Sequence, residues 1–221
     1  MSRPCRVLGC TGHATQFGNW CPAHKSAMRR HGHPEQRAVG KAELKPFVAR
    51  VRRRIEKNAE SPVWHHAEER WRAVIEHARG IVAEAARGVP GFGYERRAAE
   101  EVVKLSDEVE ARVVMETAFG LYLQQAADPR RFRSDEAFRF QLVRRIRGLA
   151  ESNTRQWGDP VLGRSRRALG ELPPRAASTL ARWLVEAFGS IGLYLARLED
   201  RDREVERARA ADFDAALKDL I

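Results

Sequence analysis

Three cysteines, Cys5, Cys10 and Cys21, lie within the first 21 residues, and the remaining 200 residues hold none. Four residues separate Cys5 from Cys10, and Cys21 stands in C-x-x-H spacing with His24. Three thiolates and one imidazole are a normal tetrahedral ligand set for structural zinc. An odd number of cysteines beside histidines is a poor disulfide framework and favours metal. Gly9 and Gly12 permit a tight knuckle near the first pair, and Pro22 follows Cys21 where a helix can begin. His24 would then project from the first helical turn, and the positive end of the helix favours the nearby thiolate. Residues 1–34 have few aliphatic side chains, so zinc affinity is expected to supply their folding energy. His13, His31 and His33 compete for the fourth position, and spacing favours His24. The bland alternative, reduced cysteines with incidental histidines, leaves the clustering unexplained. Four protein ligands leave no open position, so the expected role is structural.

Charge is concentrated around the same residues. Residues 1–60 carry 13 Lys or Arg against 4 Asp or Glu, whereas residues 61–221 carry 27 against 26. Almost all of the net +10 therefore belongs to the first quarter of the chain. Such a field attracts an anionic partner over a Debye length, and nucleic acid is the leading expectation. The expected backbone contacts are Arg3, Arg6, Lys25, Arg29, Arg30, Arg37, Lys41, Arg52, Arg53 and Arg54. Contacts of that kind give affinity and salt dependence with little sequence information. For Arg52–Arg54 the competing reading is a solvated helix face. Trp20 has two readings, a plug in the small core under the metal, which is favoured, or a platform that stacks on a base.

The pattern formed by Cys5, Cys10, Gly18, Trp20, Cys21, His24, Arg30, His31, Gly32 and Pro34 resembles a small zinc finger of phage and bacterial proteins. Such fingers stand at the front of some HNH-class homing endonucleases and related DNA-associated proteins. The resemblance implies a treble-clef-like fold, in which a knuckle and small hairpin precede a helix supplying the last two ligands. It also implies DNA binding, with Lys25, Arg29 and Arg30 on the helix facing the nucleic acid. It covers about 30 residues and does not carry over nuclease activity, because the chain lacks a matching histidine-asparagine-histidine arrangement.

The elements that must position this site are helical. A zinc finger over 1–34 is expected, then a linker over 35–42 and a helical domain over 43–221. Leu44, Phe47, Val48, Val51 and Ile55 share one face of a first helix ending near Ala59. Ser61-Pro62 starts a second helix reaching about Arg87, with Trp64, Trp71, Val74, Ile75, Ala78 and Val82 inward. The "GVPGFG" run at 88–93 breaks the chain. A long helical stretch is expected from Tyr94 to about Ala127, and Ser134 caps the next helix, which "NTRQWGDP" ends. Residues 161–174 read as mixed. Pro173-Pro174 starts a helix with Leu180, Trp183, Leu184, Phe188 and Ile191, and a separate charged helix follows from about Arg201 to Leu220. No strand is expected after residue 34. The fold expectation is thus an all-α body of six or seven helices with a small N-terminal finger. "METAFGLYL" at 115–123 and "VEAFGSIGLYL" at 185–195 are weakly similar, and Gly120, Gly189 and Gly192 would allow helices to approach closely.

No apolar run approaches the roughly 20 residues that cross a bilayer, and "MSRPCRVLGC" lacks the apolar region of a signal peptide. With its free cysteines, the chain is expected in a reducing compartment, the cytoplasm or nucleoid. Signals for catalysis are thin. His65 and Glu69 lie one helical turn apart and read as a surface pair, and no serine sits in a nucleophile elbow. The leading expectation is a zinc-dependent protein binding double-stranded DNA, whose body supplies dimerisation or docks another protein. The alternatives are a protein-interaction module that captures a polymerase or nuclease, and a divergent nuclease.

Overall fold

A computed structural model describes residues 3–159 and 164–218. Seven α-helices are found among them: α1 (Pro22–His31), α2 (Lys41–Lys57), α3 (Pro62–Ala86), α4 (Gly93–Glu108), α5 (Ala111–Ala127), α6 (Asp135–Arg147) and α7 (Pro174–Lys218). Two strands, β1 (Thr154–Asp159) and β2 (Arg164–Leu169), form an antiparallel hairpin between α6 and α7. The finger therefore precedes an all-α body of six helices.

The centre of that body is α5. Every residue from Val114 to Gln124 is buried, because α2, α3, α6 and α7 all pack around it. A helix without a polar face is the sequence form of that position. Trp64 and Trp71 of α3 meet Phe119 of α5 and Phe188 of α7, and Phe119 stands edge-on to Phe188 at 5.6 Å between centroids. The two similar segments thus pack on each other across these phenylalanines. They are not used alike, because Tyr122 is buried and Tyr194 is exposed. Close approach does depend on glycine here. A methyl on Gly120 would lie 2.9 Å from Val48 Cγ2, and one on Gly192 would lie 2.3 Å from Tyr122 Cδ2.

Three expectations need correction. The stretch 94–127 is two helices, because Val109 and Glu110 are extended and interrupt the helical backbone. No glycine or proline marks this break. It comes from tertiary packing, which places α4 against α3 while α5 occupies the centre. The hairpin at 154–169 was also not anticipated. Its strands are rich in arginine rather than alternating apolar residues, so the period-two signal is weak. Finally, the two expected C-terminal helices are one helix of 45 residues. Neither glycine nor proline interrupts 193–218, and the Arg203–Asp200 ion pair bridges the expected break. Its thin apolar stripe is not core: Val205 and Phe213 are exposed. Of the earlier expectation, Pro160–Gly163 and residues 219–221 lie outside the described residues.

Residues 35–42, between finger and helices, are held by the body. Val39 is buried, and its N–H donates to Gln141 Oε1 at 2.9 Å. Gln36 donates to the carbonyls of Arg37 and Arg131 and accepts from the Arg133 N–H. The N-terminus of α2 is anchored by Glu43, whose carboxylate bonds Arg131, Gln124 and the Gly40 N–H. No helix among the described residues is long and apolar enough to cross a membrane.

Candidate metal centre

Around the cysteines the backbone forms a small hairpin. Pro4 and His13 pair antiparallel, the Cys5 N–H donates to the Gly12 carbonyl, and the Ala14 N–H donates to the Arg3 carbonyl. Between them the chain turns with the Cys10 N–H donating to the Val7 carbonyl, while Gly9 takes a positive φ of 75°. Cys21 is the N-cap of α1 and Pro22 its first residue, so His24 sits in the first turn.

Local geometry brings four ligand atoms together. The Sγ atoms of Cys5, Cys10 and Cys21 and a ring nitrogen of His24 all lie within 4.8 Å of one another. His24 Nδ1 is 3.4 Å from Cys5 Sγ and 3.3 Å from Cys21 Sγ, and the Cys10 and Cys21 sulfurs are 3.9 Å apart. Backbone N–H groups point at two of the sulfurs: Gly12 at Cys10 and Cys21 at Cys5, each at 3.4 Å. Gly12 is tightly placed. A methyl there would meet Cys21 Cβ at 3.1 Å and the Cys10 and Cys21 sulfurs at 3.5 Å.

The electrostatics of the cluster call for a cation. Burial raises the Cys5 thiol, but the N–H groups of Val7 and Cys21, with His24 and Cys10, more than offset it and bring it down to about 6. At Cys10 the Gly12 N–H lowers the thiol, yet burial and the neighbouring Cys5 and Cys21 sulfurs win and push it up. Three sulfurs this close cannot all ionise without a positive charge among them. A metal ion held there would supply that charge, and the Cys3His arrangement is compatible with a structural metal site.

The ten cations expected to face an anionic partner divide into two groups. Arg30 pairs with Glu171, Arg52 with Glu116, and Arg54 with Glu199 and Asp202. Arg52 and Arg54 thereby fasten α2 to α5 and α7. Among the described residues, Arg3, Arg6, Lys25, Arg29, Arg37, Lys41 and Arg53 make no ion pair, and all seven are exposed. Trp20 is half-buried. The histidine pair read as a surface feature lies on an exposed face, with His65 Nε2 3.1 Å from Glu69 Oε1.

The fold adds cations from the near-neutral remainder of the chain. Arg130, Arg131 and Arg133 join Arg37 and His24 around a cleft of about 830 Å³ beside the finger. Arg144 lines a smaller pocket with Arg29 and Arg30. The link is made by the end of α1. Gly32 takes φ 74° as its C-cap and lies against the Glu136 carbonyl and the Phe140 ring, too close for any side chain. His31 Nδ1 lies 3.1 Å from Gln141 Nε2, and Gln141 is fully buried. The Arg-Arg doublets at 130–131 and 144–145 were the only sequence trace of this surface.

No protein-family model, no curated protein and no solved structure matches the chain.

Proposed function

We propose that the protein is a zinc-dependent binder of nucleic acid, with double-stranded DNA as its partner. The observation that carries this reading is the charge distribution: 13 basic against 4 acidic residues in the first 60, the segment of the chain that holds the Cys3His cluster. Zinc as the metal is supported by the cluster's own dimensions. Metal–ligand bonds of about 2.3 Å to sulfur and about 2.0–2.1 Å to nitrogen give tetrahedral edges of roughly 3.5–3.8 Å. The observed separations of 3.3, 3.4 and 3.9 Å lie close to those edges. Cys5, Cys10, Cys21 and His24 would hold the ion and fill its coordination shell, which favours a binding role over a catalytic one.

In this reading the metal fixes the knuckle and the start of α1, and α1 presents Lys25 and Arg29 outward. The resemblance to the small fingers of phage and bacterial DNA-associated proteins supports the choice of DNA. So does the placement of Arg37, Arg130 and Arg133 beside the finger, which widens the basic surface beyond α1.

Fluorescence anisotropy of the zinc-quantified protein against labelled duplex DNA and RNA, at several salt concentrations, tests the reading. Tight duplex binding that weakens steeply with salt is expected, and Cys21→Ser with His24→Ala should abolish it. A folded protein carrying one zinc that binds neither nucleic acid would overturn it.

A further inference from the structure

Several partly or fully buried guanidinium groups among the described residues are matched by carboxylates. Arg147 meets Glu101 at 2.7 Å and Arg131 meets Glu43. Arg144 and Arg145, next to each other on α6, are both half-buried and make no ion pair with any described residue. Arg144 has no hydrogen-bond acceptor among the described residues. Arg145 reaches only the Val39 carbonyl, at 3.4 Å, and its Nε is buried with no partner. Holding such charges out of water without a counter-charge is expensive, and an unpaired buried donor needs an explanation.

Both side chains line a cleft of about 580 Å³ together with Lys41. Its walls are residues 38–39, the end of α6 at Gly148 and Leu149, and the hairpin base at Thr154, Ala168 and Leu169. Glu151 also lines the cleft and makes no ion pair with either arginine. Burial lowers the Arg144 and Arg145 guanidinium pKa, and at Arg144 the nearby Arg30, Arg147 and Arg145 add to the effect while Glu171 opposes it. Neither Glu151 nor Glu171 forms an ion pair with either arginine. Rising from the cleft is a two-stranded ribbon whose strands contain Arg155, Arg164, Arg166 and Arg167 against Asp159 alone, with Trp157 opposite Arg166 in the register. Grooves of duplex nucleic acid admit a ribbon of that width.

We propose that this cleft is an anion seat, in which Arg144, Arg145 and Lys41 take phosphate groups of a nucleic-acid backbone running from the finger towards the hairpin. The source of the phosphate rests on the nucleic-acid reading above, whereas the seat itself rests on the unpaired arginines. An arriving phosphate gives both guanidiniums the acceptor the fold withholds, and charge-assisted bonds of this type are the strong ones.

The test uses the zinc-loaded full chain in two arms. In the first, thermal unfolding is followed with inorganic pyrophosphate at constant ionic strength. Tm should rise by about 2–4 °C at roughly five times Kd, and Arg145→Gln should remove the rise. Should Arg145→Gln fold poorly, Lys41→Gln, at an exposed position, should still weaken pyrophosphate several-fold. No rise, or an equal rise in both variants, overturns the seat. In the second arm, duplex binding is titrated against salt, and each variant should flatten the log–log slope by about 1. An unchanged slope beside a lost pyrophosphate effect leaves the seat and overturns nucleic acid as its occupant. Duplex binding that is absent from wild type overturns the proposed function, and the first arm then decides the seat alone.

Discussion

His31 shows how a single side chain is governed by what the fold sets around it. Its imidazole is pushed down to about 4, first by burial and then by the charges of Arg144, Arg30 and Arg131. The unfolded chain takes up that proton near pH 6.5, and the folded protein does so only near 4. Between those values the unfolded state binds more protons, so stability falls as pH drops from about 6.5 towards 4. Measuring Tm across that window should show a steeper acid loss in wild type than in His31→Gln. Cys5, Cys10, Cys21 and His24 are the same in both proteins, so the difference isolates His31. Parallel curves would mean that the neutral imidazole is not what holds α1 to α6. In the sequence His31 was a rival metal ligand and a member of the finger-like pattern, and two of the arginines that lower it, Arg131 and Arg144, lie 100 or more residues away in the chain.

At the scale of elements, α5 and α7 show glycine acting through shape. The Tyr122 ring occupies the space a Gly192 side chain would need, and it is itself fixed edge-on to Phe138 at 5.0 Å. Gly192→Ala therefore overpacks a site that cannot yield, and a loss of about 1–3 kcal/mol is expected. A drop in Tm of roughly 3–10 °C on thermal unfolding would report it. A drop of under a degree would show that the Tyr122 ring moves freely. That these glycines permit close approach was readable from their small size. Which partner each one meets was not: Gly120 faces α2, while Gly192 faces α5.

The whole molecule joins a finger with a candidate metal cluster to a helical body that has its own core. The core of α2–α7 is continuous from Leu44 to Leu195, whereas around the finger the buried apolar set shrinks to Cys5 and Cys21 themselves. On the proposed zinc reading, a chelator should unfold the knuckle and the start of α1 while the helical body persists. Hydrogen exchange mapped by mass spectrometry should lose protection over about residues 3–31 and keep it in α5. Loss of protection throughout would mean that the Gly32, His31 and Gln36 contacts make finger and body one cooperative unit.

The amino-acid sequence by itself determined the Cys3His cluster, the helical character of the body and the concentration of positive charge at one end. Each is a local property: ligands 19 residues apart, a 3.6-residue periodicity, a count of arginines and lysines. Only the tertiary structure decided which charges are available. It set Arg52 and Arg54 against carboxylates on α5 and α7, and it left Arg144 and Arg145 without one. It also divided 94–127 into two helices and joined 174–218 into one. The reason is the same in each case. A charge is neutralised, or a helix turned, by a neighbour in space, and distant stretches of one chain carry no local mark of which will meet.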